Sequence, residues 1–173
     1  MESEVSGPSG RMEDKQYDVQ AVKDRLNAYR DGEREIENQT EVLERLKTKL
    51  EGVGAQQITD MPRSPSPSND RTSDLLAQKI EIEEEIEADL EAQRRERKYI
   101  TGILRKLKSA DERAVIRFRY LIGLNWYDVT DALFGAKGDY LGKEESYLRR
   151  TTMLHGKALL NMAIIIEDQE KKK

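Results

Sequence analysis

Residues 14–51 read DKQYDVQAVKDRLNAYRDGEREIENQTEVLERLKTKLE and contain no proline. Their apolar residues recur at steps of three and four, which is the heptad pattern of a helix with one apolar face. The members of this seam are Val19, Val22, Leu26, Tyr29, Ile36, Leu43, Leu46 and Leu50. We therefore predict a long helix over residues 14–51, which Gly32 weakens by about 1 kcal/mol and which Gly52 and Gly54 end.

A second stretch without proline covers residues 71–108, with Thr72 or Ser73 available as its N-terminal cap. Its apolar seam is broken midway at Gln93 and Arg97, a gap that Leu90 partly fills. The seam consists of Leu75, Ile82, Ile86, Ile100, Leu104 and Leu107. The pattern predicts a second helix of nearly the same length, roughly 55 Å at 1.5 Å per residue.

The two stretches are joined by residues 53–70, VGAQQITDMPRSPSPSND, whose prolines and serines predict an exposed loop. Neither helix can bury its seam alone, and a loop of this length lets the second helix fold back on the first. An antiparallel helical hairpin over residues 14–108 is therefore the favoured arrangement. The alternative is pairing between chains, and a homodimer through the hairpin is also compatible with the intramolecular fold.

Composition limits what else the chain can be. Of its 173 residues, 37% are charged and only 36% are hydrophobic, which argues against a thick multilayer core. The absence of cysteine excludes disulfides, thiolate metal sites and a cysteine nucleophile. The longest wholly apolar run, residues 162–166, is far too short to span a membrane. We therefore expect a cytoplasmic protein that does not contact a membrane. Residues 1–13 have no periodicity and are predicted to be disordered.

The sequence changes character after Lys108. Ser109 and Glu112 have the spacing of a capping box before an apolar helix, and Gly123 lies where a helix is expected to end. Asn125 caps a short helix that Gly135 ends, and a last helix is predicted over residues 144–166, before a charged, fraying tail at 167–173. Trp126, both phenylalanines and five of the seven tyrosines follow position 98, so these short helices are expected to close a compact core of their own.

Charge divides along the same line. Residues 1–96 hold 14 basic and 24 acidic residues, a balance of −10, whereas residues 97–163 hold 13 basic and 7 acidic residues, a balance of +6. The net charge of −4 therefore hides a basic module that can supply the phosphate attraction needed for DNA binding. A short helix followed by a turn and a longer basic helix is the layout of a helix-turn-helix, whose second helix enters the major groove.

The stretch LKSADERAVIRFRYLIGLNWYDVTDALFG, residues 107–135, resembles the fourth region of sigma-70-type sigma factors. The matching positions of its two helices are Glu112, Arg113, Val115, Ile116, Arg119 and Tyr120, then Gly123, Leu124, Asp128, Val129, Leu133 and Gly135. Thr130 stands where that family usually has alanine. Residues 150–159, RTTMLHGKAL, resemble the family's recognition helix at Leu154, His155, Ala158 and Leu159.

Two features depart from that family. The turn before the recognition helix is longer, with an insertion between Gly135 and Glu145, and Thr151 replaces the hydrophobic residue that opens the recognition pattern. A hairpin followed by such a module resembles phage- and prophage-encoded late transcription regulators, the ArpU- and RinA-like group. The resemblance implies an all-α fold, in which the hairpin precedes a small C-terminal three-helix helix-turn-helix domain at residues 109–166. It also implies that His155 is a surface or half-buried residue.

Within that resemblance, the outward face of the last helix is the predicted DNA-binding surface. It would carry Arg149, Arg150, Thr152, Met153 and Lys157, and the alternative is an ordinary solvated basic face. Tyr147 could donate to a phosphate or simply pack in the core. The remaining candidates for phosphate contact, any of which could instead pair with nearby acids, are Arg117, Arg119, Lys137 and Lys143.

The function expected from these features is a DNA-binding transcription regulator that acts with RNA polymerase at a phage late promoter, in the cytoplasm of a bacterial host. The alternatives are a small-terminase-like DNA-packaging protein and a coiled-coil interaction protein that does not bind DNA. We expect no enzyme, cofactor or metal site, because no phosphate-binding loop or zinc or serine-hydrolase motif is present. The acidic residues 81–91 are interpreted as the solvated side of a helix, with a polymerase-facing surface as the other use.

Overall fold

A computed structural model describes residues 17–55 and 68–172 of the chain. The helices are α1 (Val19–Ala55), α2 (Ser68–Leu104), α3 (Ala110–Ile116), α4 (Trp126–Phe134) and α5 (Glu144–Glu170), with a π-helical turn (Arg117–Leu121) directly after α3. The described part of the chain contains no strand, so the predicted all-α class is confirmed there. The predicted disordered start at residues 1–13 and residues 56–67 of the predicted loop lie outside the described residues.

Helices α1 and α2 form the predicted long antiparallel pair. The contacts between them show that the helices run in opposite directions. The Arg25 guanidinium pairs with the Glu96 carboxylate near one end of the hairpin, and Lys47 interacts electrostatically with Glu83 nearer the other end. The seam between the helices follows the predicted heptads. Its buried members are Val22, Leu26, Tyr29, Leu43, Leu46, Ile100, Leu104 and Leu107, whereas Val19, Ile36, Leu50, Leu75, Ile82 and Ile86 are half-buried.

Two details of the seam differ from the prediction. Leu90, expected to fill the gap in the middle of α2, is 38% exposed, because it lies off the line that faces α1. Ile103, which the heptad pattern passed over, is 2% exposed because α5 also packs near the end of α2. The end of α2 therefore has two apolar sides, while its middle has one.

The ends of the two long helices are shifted from the predicted positions. α1 begins at Val19 rather than at residue 14, because the Asp18 carboxylate accepts a hydrogen bond from the Ala21 amide at 2.8 Å and caps the helix there. It continues through Gly52 to Ala55, and α2 begins at Ser68, ahead of both predicted caps. The predicted loop at residues 53–70 is therefore shorter at both ends.

Helix α2 ends at Leu104 rather than at Lys108, because the amides of Lys106 and Leu107 donate to the carbonyl oxygens three residues back, those of Ile103 and Leu104, at 2.9 and 3.1 Å. The Arg113 guanidinium donates to the carbonyl oxygens of Leu107 at 2.6 Å and Lys108 at 3.1 Å. This contact turns the chain into α3. It also leaves Arg113, a position of the sigma-like pattern, half-buried.

The predicted caps after residue 108 are present. Ser109 Oγ accepts from the Glu112 amide at 3.3 Å, and Asn125 Oδ1 accepts from the amides of Tyr127 and Asp128 at 2.9 and 3.0 Å. Gly123 has φ of +86°, a conformation that side chains with a Cβ rarely adopt, and it separates the π-helical turn from α4. α5 continues to Glu170, past the predicted end at residue 166, because the Glu167 carbonyl and carboxylate both bind Lys171.

One apolar core joins the hairpin to the C-terminal helices. Leu26 and Tyr29 of α1 and Leu104 of α2 belong to the same buried cluster as Val115 of α3 and Met162 of α5. The short helices therefore do not close a core among themselves, as the aromatic residues suggested; they share one with the base of the hairpin. This sharing fixes how α5 is placed relative to α1 and α2.

The middle of the hairpin seam provides a first test. A Cβ at Gly32 would lie 1.7 Å from Nε2 of Gln93, a half-buried side chain whose buried Oε1 has no hydrogen-bond partner among the described residues. Because only the flexible end of Gln93 is in the way, we expect Gly32→Ala to change the free energy of unfolding little. In the background Gln93→Ala, the same substitution should stabilise by about 1 kcal/mol, the helix-propensity difference.

Urea denaturation of the two single variants and the double variant measures this coupling. The matched control is Gly52→Ala, also on α1, where an added Cβ meets nothing within 4 Å. Its effect should be the same whether residue 93 is glutamine or alanine. Equal effects of Gly32→Ala in both backgrounds would show that Gln93 does not occupy the space beside Gly32.

Candidate nucleic-acid interface

The outward face of α5 carries a row of exposed, mainly basic side chains. Its members Arg149, Arg150, Thr152, Met153 and Lys157 are all exposed, and Met153 is 76% exposed, a large value for an apolar residue. A shallow groove runs beside them, lined also by Ser146 of α5, Phe134 of α4 and Asp111 of α3. Arg149, Arg150, Met153 and Lys157 line this groove, whereas Thr152 is exposed outside it; we call the surface formed by these five sequence-predicted residues the α5 face.

The opposite side of α5 is buried from Tyr147 to Ala163. The residues on this side are Tyr147, Thr151, His155, Ala158, Leu159, Met162 and Ala163. They recur at steps of three and four, as expected for a helix packed on one side. Because α3, α4 and α1 all contact this side, the α5 face can point only outward.

Two buried threonines join α4 to α5. Thr130 Oγ1 lies 3.0 Å from Thr151 Oγ1, and both residues are essentially inaccessible to solvent. Each hydroxyl also lies within hydrogen-bond distance of the carbonyl four residues before it, at 2.8 Å from Trp126 O and 3.0 Å from Tyr147 O. Thr130 and Thr151 are the two positions where this chain has a polar residue in place of the sigma-like pattern's apolar one. The structure pairs the two departures with each other.

His155 is buried, whereas the resemblance implied a surface or half-buried residue. Its Nε2 lies 3.0 Å from the Tyr120 hydroxyl, and its ring meets the edge of Trp126 at a centroid distance of 4.9 Å. Burial, together with the positive charges of Lys23 and Arg119, lowers the pKa of His155 to about 4. The imidazole is therefore neutral at pH 7 and acts as a packing and hydrogen-bonding group.

Glu112 ties the start of α3 to α5. The residue is 3% exposed, and its carboxylate accepts from Asn161 Nδ2 at 2.8 Å, with Lys157 Nζ at 3.6 Å. The reciprocal bond of a capping box, from the Ser109 amide to Glu112, is not among its contacts. The Lys157 side chain is nevertheless 70% exposed. Its ammonium group can therefore reach solvent while it balances the negative charge of the buried Glu112 carboxylate.

The connection between α4 and α5, residues 135–143, is a series of tight turns that ends at Gly142, with φ of +88°. Tyr147, a predicted phosphate donor, is buried there and donates its hydroxyl to Asp139 Oδ1 at 2.7 Å. Lys143 pairs with the same carboxylate at 3.0 Å. These two hydrogen bonds hold the pKa of Asp139 below its usual value. Lys137 is exposed beside the Phe134 ring.

The two arginines of the π-helical turn differ in orientation. Arg117 is exposed. Arg119 points inward: its guanidinium donates to the Leu124 carbonyl at 2.8 Å and lies 4.8 Å from the centre of the Trp126 ring, and burial lowers its pKa. Arg119 therefore braces the turn before α4 rather than lining the α5 face.

Sequence reasoning missed two contributors to the α5 face. Ser146 lies three residues before Arg149 and four before Arg150, so helical spacing alone could have placed it there. Phe134 was assigned to the core, and it is largely buried, but its ring also lies 5.0 Å from the Arg150 guanidinium carbon. That contact joins α4 to α5 across the chain and has no signal in the sequence.

The threonine pair can be tested with isosteric substitutions. We expect Thr130→Val and Thr151→Val each to lower the free energy of unfolding by about 1–2 kcal/mol, because each leaves a buried hydroxyl with fewer partners. The double variant should lose less than the sum, with a coupling of about 1 kcal/mol in a denaturation cycle. The control Thr152→Val removes an exposed hydroxyl and should change stability by less than about 0.5 kcal/mol. Strict additivity of the two buried substitutions would contradict the pairing.

His155 predicts how stability depends on pH. Its folded pKa of about 4 lies below the value of 6.5 expected when unfolded, so between these values the unfolded chain takes up a proton that the folded chain does not. The stability that neutral His155 contributes is complete above pH 6.5 and is lost as pH falls toward 4. Between pH 7 and pH 5, the wild type should lose roughly 2 kcal/mol more than His155→Gln, measured by urea denaturation. Equal losses would show an imidazole that titrates normally.

We compared the chain with protein-family models, with curated proteins and with solved structures, and none of these comparisons gave a match. Within residues 17–55 and 68–172, no helix is both long enough and apolar enough to cross a membrane. The same residues contain no cluster of three histidine, aspartate or glutamate side chains placed to hold a metal ion. The functional interpretation of the α5 face therefore depends on its own residues.

Proposed function

We propose that this chain is a DNA-binding transcription regulator that inserts the α5 face into the major groove. The observation that carries the proposal is that Arg149, Arg150 and Lys157 are exposed on one side of a helix whose other side is buried. A rigidly held helix with an outward basic face is what recognition in the major groove requires. In this proposal α4 and α5 are the two helices of a helix-turn-helix, and residues 135–143 are its extended turn.

The charges of the α5 face suit a polyanion. Arg149 and Arg150 form no ion pair with any other described residue, so both guanidinium groups are available to a ligand. Arginine binds phosphate oxygens or the O6 and N7 atoms of guanine with two parallel hydrogen bonds. Met153, exposed between them and Lys157, can contact a thymine methyl group, and Thr152 can bind a phosphate.

The other predicted DNA-binding residues take different roles in this proposal. Arg117 and Lys137 are exposed and remain candidates for phosphate contact beside the α5 face. Tyr147, Lys143 and Arg119 position the module instead, since their polar groups are bound to Asp139 and to the Leu124 carbonyl. The resemblance to phage late regulators adds RNA polymerase as the partner at the promoter and the bacterial cytoplasm as the compartment.

Fluorescence anisotropy with labelled duplex DNA tests the proposal. A pool of random-sequence duplexes should bind at low salt, with affinity falling steeply as salt rises, because binding releases counterions. The variant Arg149→Ala, Arg150→Ala should bind at least about tenfold more weakly, with a salt slope shallower by about two units. Selection of tight binders from the same pool would then define the operator.

A matched control removes the same charge elsewhere. Arg45 and Lys49 are exposed on α1, at the end of the hairpin far from α5, so Arg45→Ala, Lys49→Ala should bind DNA like the wild type. If both double variants lose the same affinity for DNA, binding depends on net charge and not on the α5 face. No binding to any duplex at low salt would favour an interaction protein. A ring of many subunits in light scattering would favour DNA packaging.

A further inference from the structure

Helix α2 and Arg105, the residue directly after it, carry a regular stripe of exposed side chains on the side away from α1. Its members, at alternating steps of four and three residues, are Ile80, Glu84, Glu87, Glu91, Arg94, Lys98, Thr101 and Arg105. All are exposed except Thr101, which is half-buried, and together they span about 38 Å. We call this row the α2 stripe. It has the spacing of a helix-packing seam, yet no described helix covers it.

The charges of the α2 stripe are segregated. The half before its midpoint is acidic and the half after it is basic, and the sign changes between Glu91 and Arg94. Like charges three or four residues apart, such as Glu87 with Glu91 or Arg94 with Lys98, destabilise a helix. Among the described residues, the only ion pair made by the charged members of the stripe joins Glu91 to Arg95 at 3.8 Å, just beside the midpoint.

The α2 stripe is complementary to itself when one copy is reversed. We propose that it is the interface with a second copy of this chain, whose α2 runs antiparallel about a two-fold axis beside Gln93. In that arrangement Glu91 faces the partner's Arg94, and Glu87 faces the partner's Lys98. The two pairs without opposite charges lie at the ends of the interface. There, Glu84 faces the partner's Thr101 and Ile80 faces the partner's Arg105. Every contact occurs twice, as a two-fold interface requires.

The alternation of sign selects this partner over others. A nucleic acid could follow the basic half, but the acidic half would repel its phosphates. Only a surface with the same reversal satisfies both halves, and a second α2 has it. Leu90, 38% exposed, adjoins Glu87 and Arg94 at helical spacing and adds apolar area at the centre. Because α1 packs on the opposite side of α2, the hairpin stays intact, and the α5 face shares no residue with the interface.

Sedimentation equilibrium of the full chain tests the proposal. Because exposed ion pairs are individually weak and screened by salt, the wild type should form dimers in about 20 mM salt and monomers in about 500 mM salt. The variants Arg94→Glu, Lys98→Glu and Glu87→Lys, Glu91→Lys should each be monomeric at low salt, because each gives the four central positions of the stripe, 87, 91, 94 and 98, a single sign. An equal mixture of the two variants should restore the dimer mass.

Two controls accompany the mixture. Glu35→Lys, Glu37→Lys changes the net charge as much as the acidic-half variant, but at exposed positions of α1, and should dimerise like the wild type. Circular dichroism should show unchanged helix content in all variants. Since the chain has no cysteine, Ile80→Cys and Arg105→Cys each introduce a unique thiol. A short thiol cross-linker should join the two variants when mixed and neither variant to itself.

Several results would overturn the proposal. A wild type that stays monomeric at low salt up to roughly 100 µM is one, and dimers that survive both charge reversals are another. Self-cross-linking of Ile80→Cys would indicate a parallel arrangement. A monomeric wild type whose affinity for duplex DNA falls with Arg94→Glu, Lys98→Glu would assign the basic half to nucleic acid. That outcome is distinct from loss of binding at the α5 face.

Discussion

The burial of apolar surface at the base of the hairpin is the constraint on which the rest of the structure depends. Two helices packed side by side leave the ends of their seam open to water, and here Leu26 and Leu104 lie at such an end. Helix α5 covers it with Ala158 and Met162, while α3 and α4 complete the enclosure. This packing buries one side of α5, and the α5 face on the other side is exposed to a partner.

Apolar burial holds α5 in place without fixing its rotation, and buried polar contacts supply that precision. Thr151 bonds to Thr130 of α4, His155 to Tyr120 of the π-helical turn, and Glu112 of α3 to Asn161. Turning α5 by one residue would break these contacts and leave polar groups unpaired in a dry interior, which costs far more than a misplaced methyl group. The chain therefore presents its basic side chains in one orientation.

Charge is distributed by surface rather than by domain. The α5 face is basic, and the α2 stripe is acidic in one half and basic in the other, so a net charge of −4 describes neither. Several charged groups that look available in the sequence are already bound: Arg113 to the carbonyls of Leu107 and Lys108, Arg119 to the Leu124 carbonyl, and Lys143 to Asp139. What remains unpaired on these two surfaces is what the protein can offer to other molecules.

The helices, the heptad seam and the caps at Ser109 and Asn125 could be predicted from local patterns, because they depend on residues within one or two turns of each other. The sequence also placed the α5 face, since helical spacing separates Arg149 and Met153 from their buried neighbours. Three outcomes came from the tertiary structure: the short helices share a core with the hairpin, Arg113 reaches back to the carbonyls of Leu107 and Lys108, and His155 and Tyr147 are buried. Those outcomes depend on contacts between distant parts of the chain, which no local pattern records.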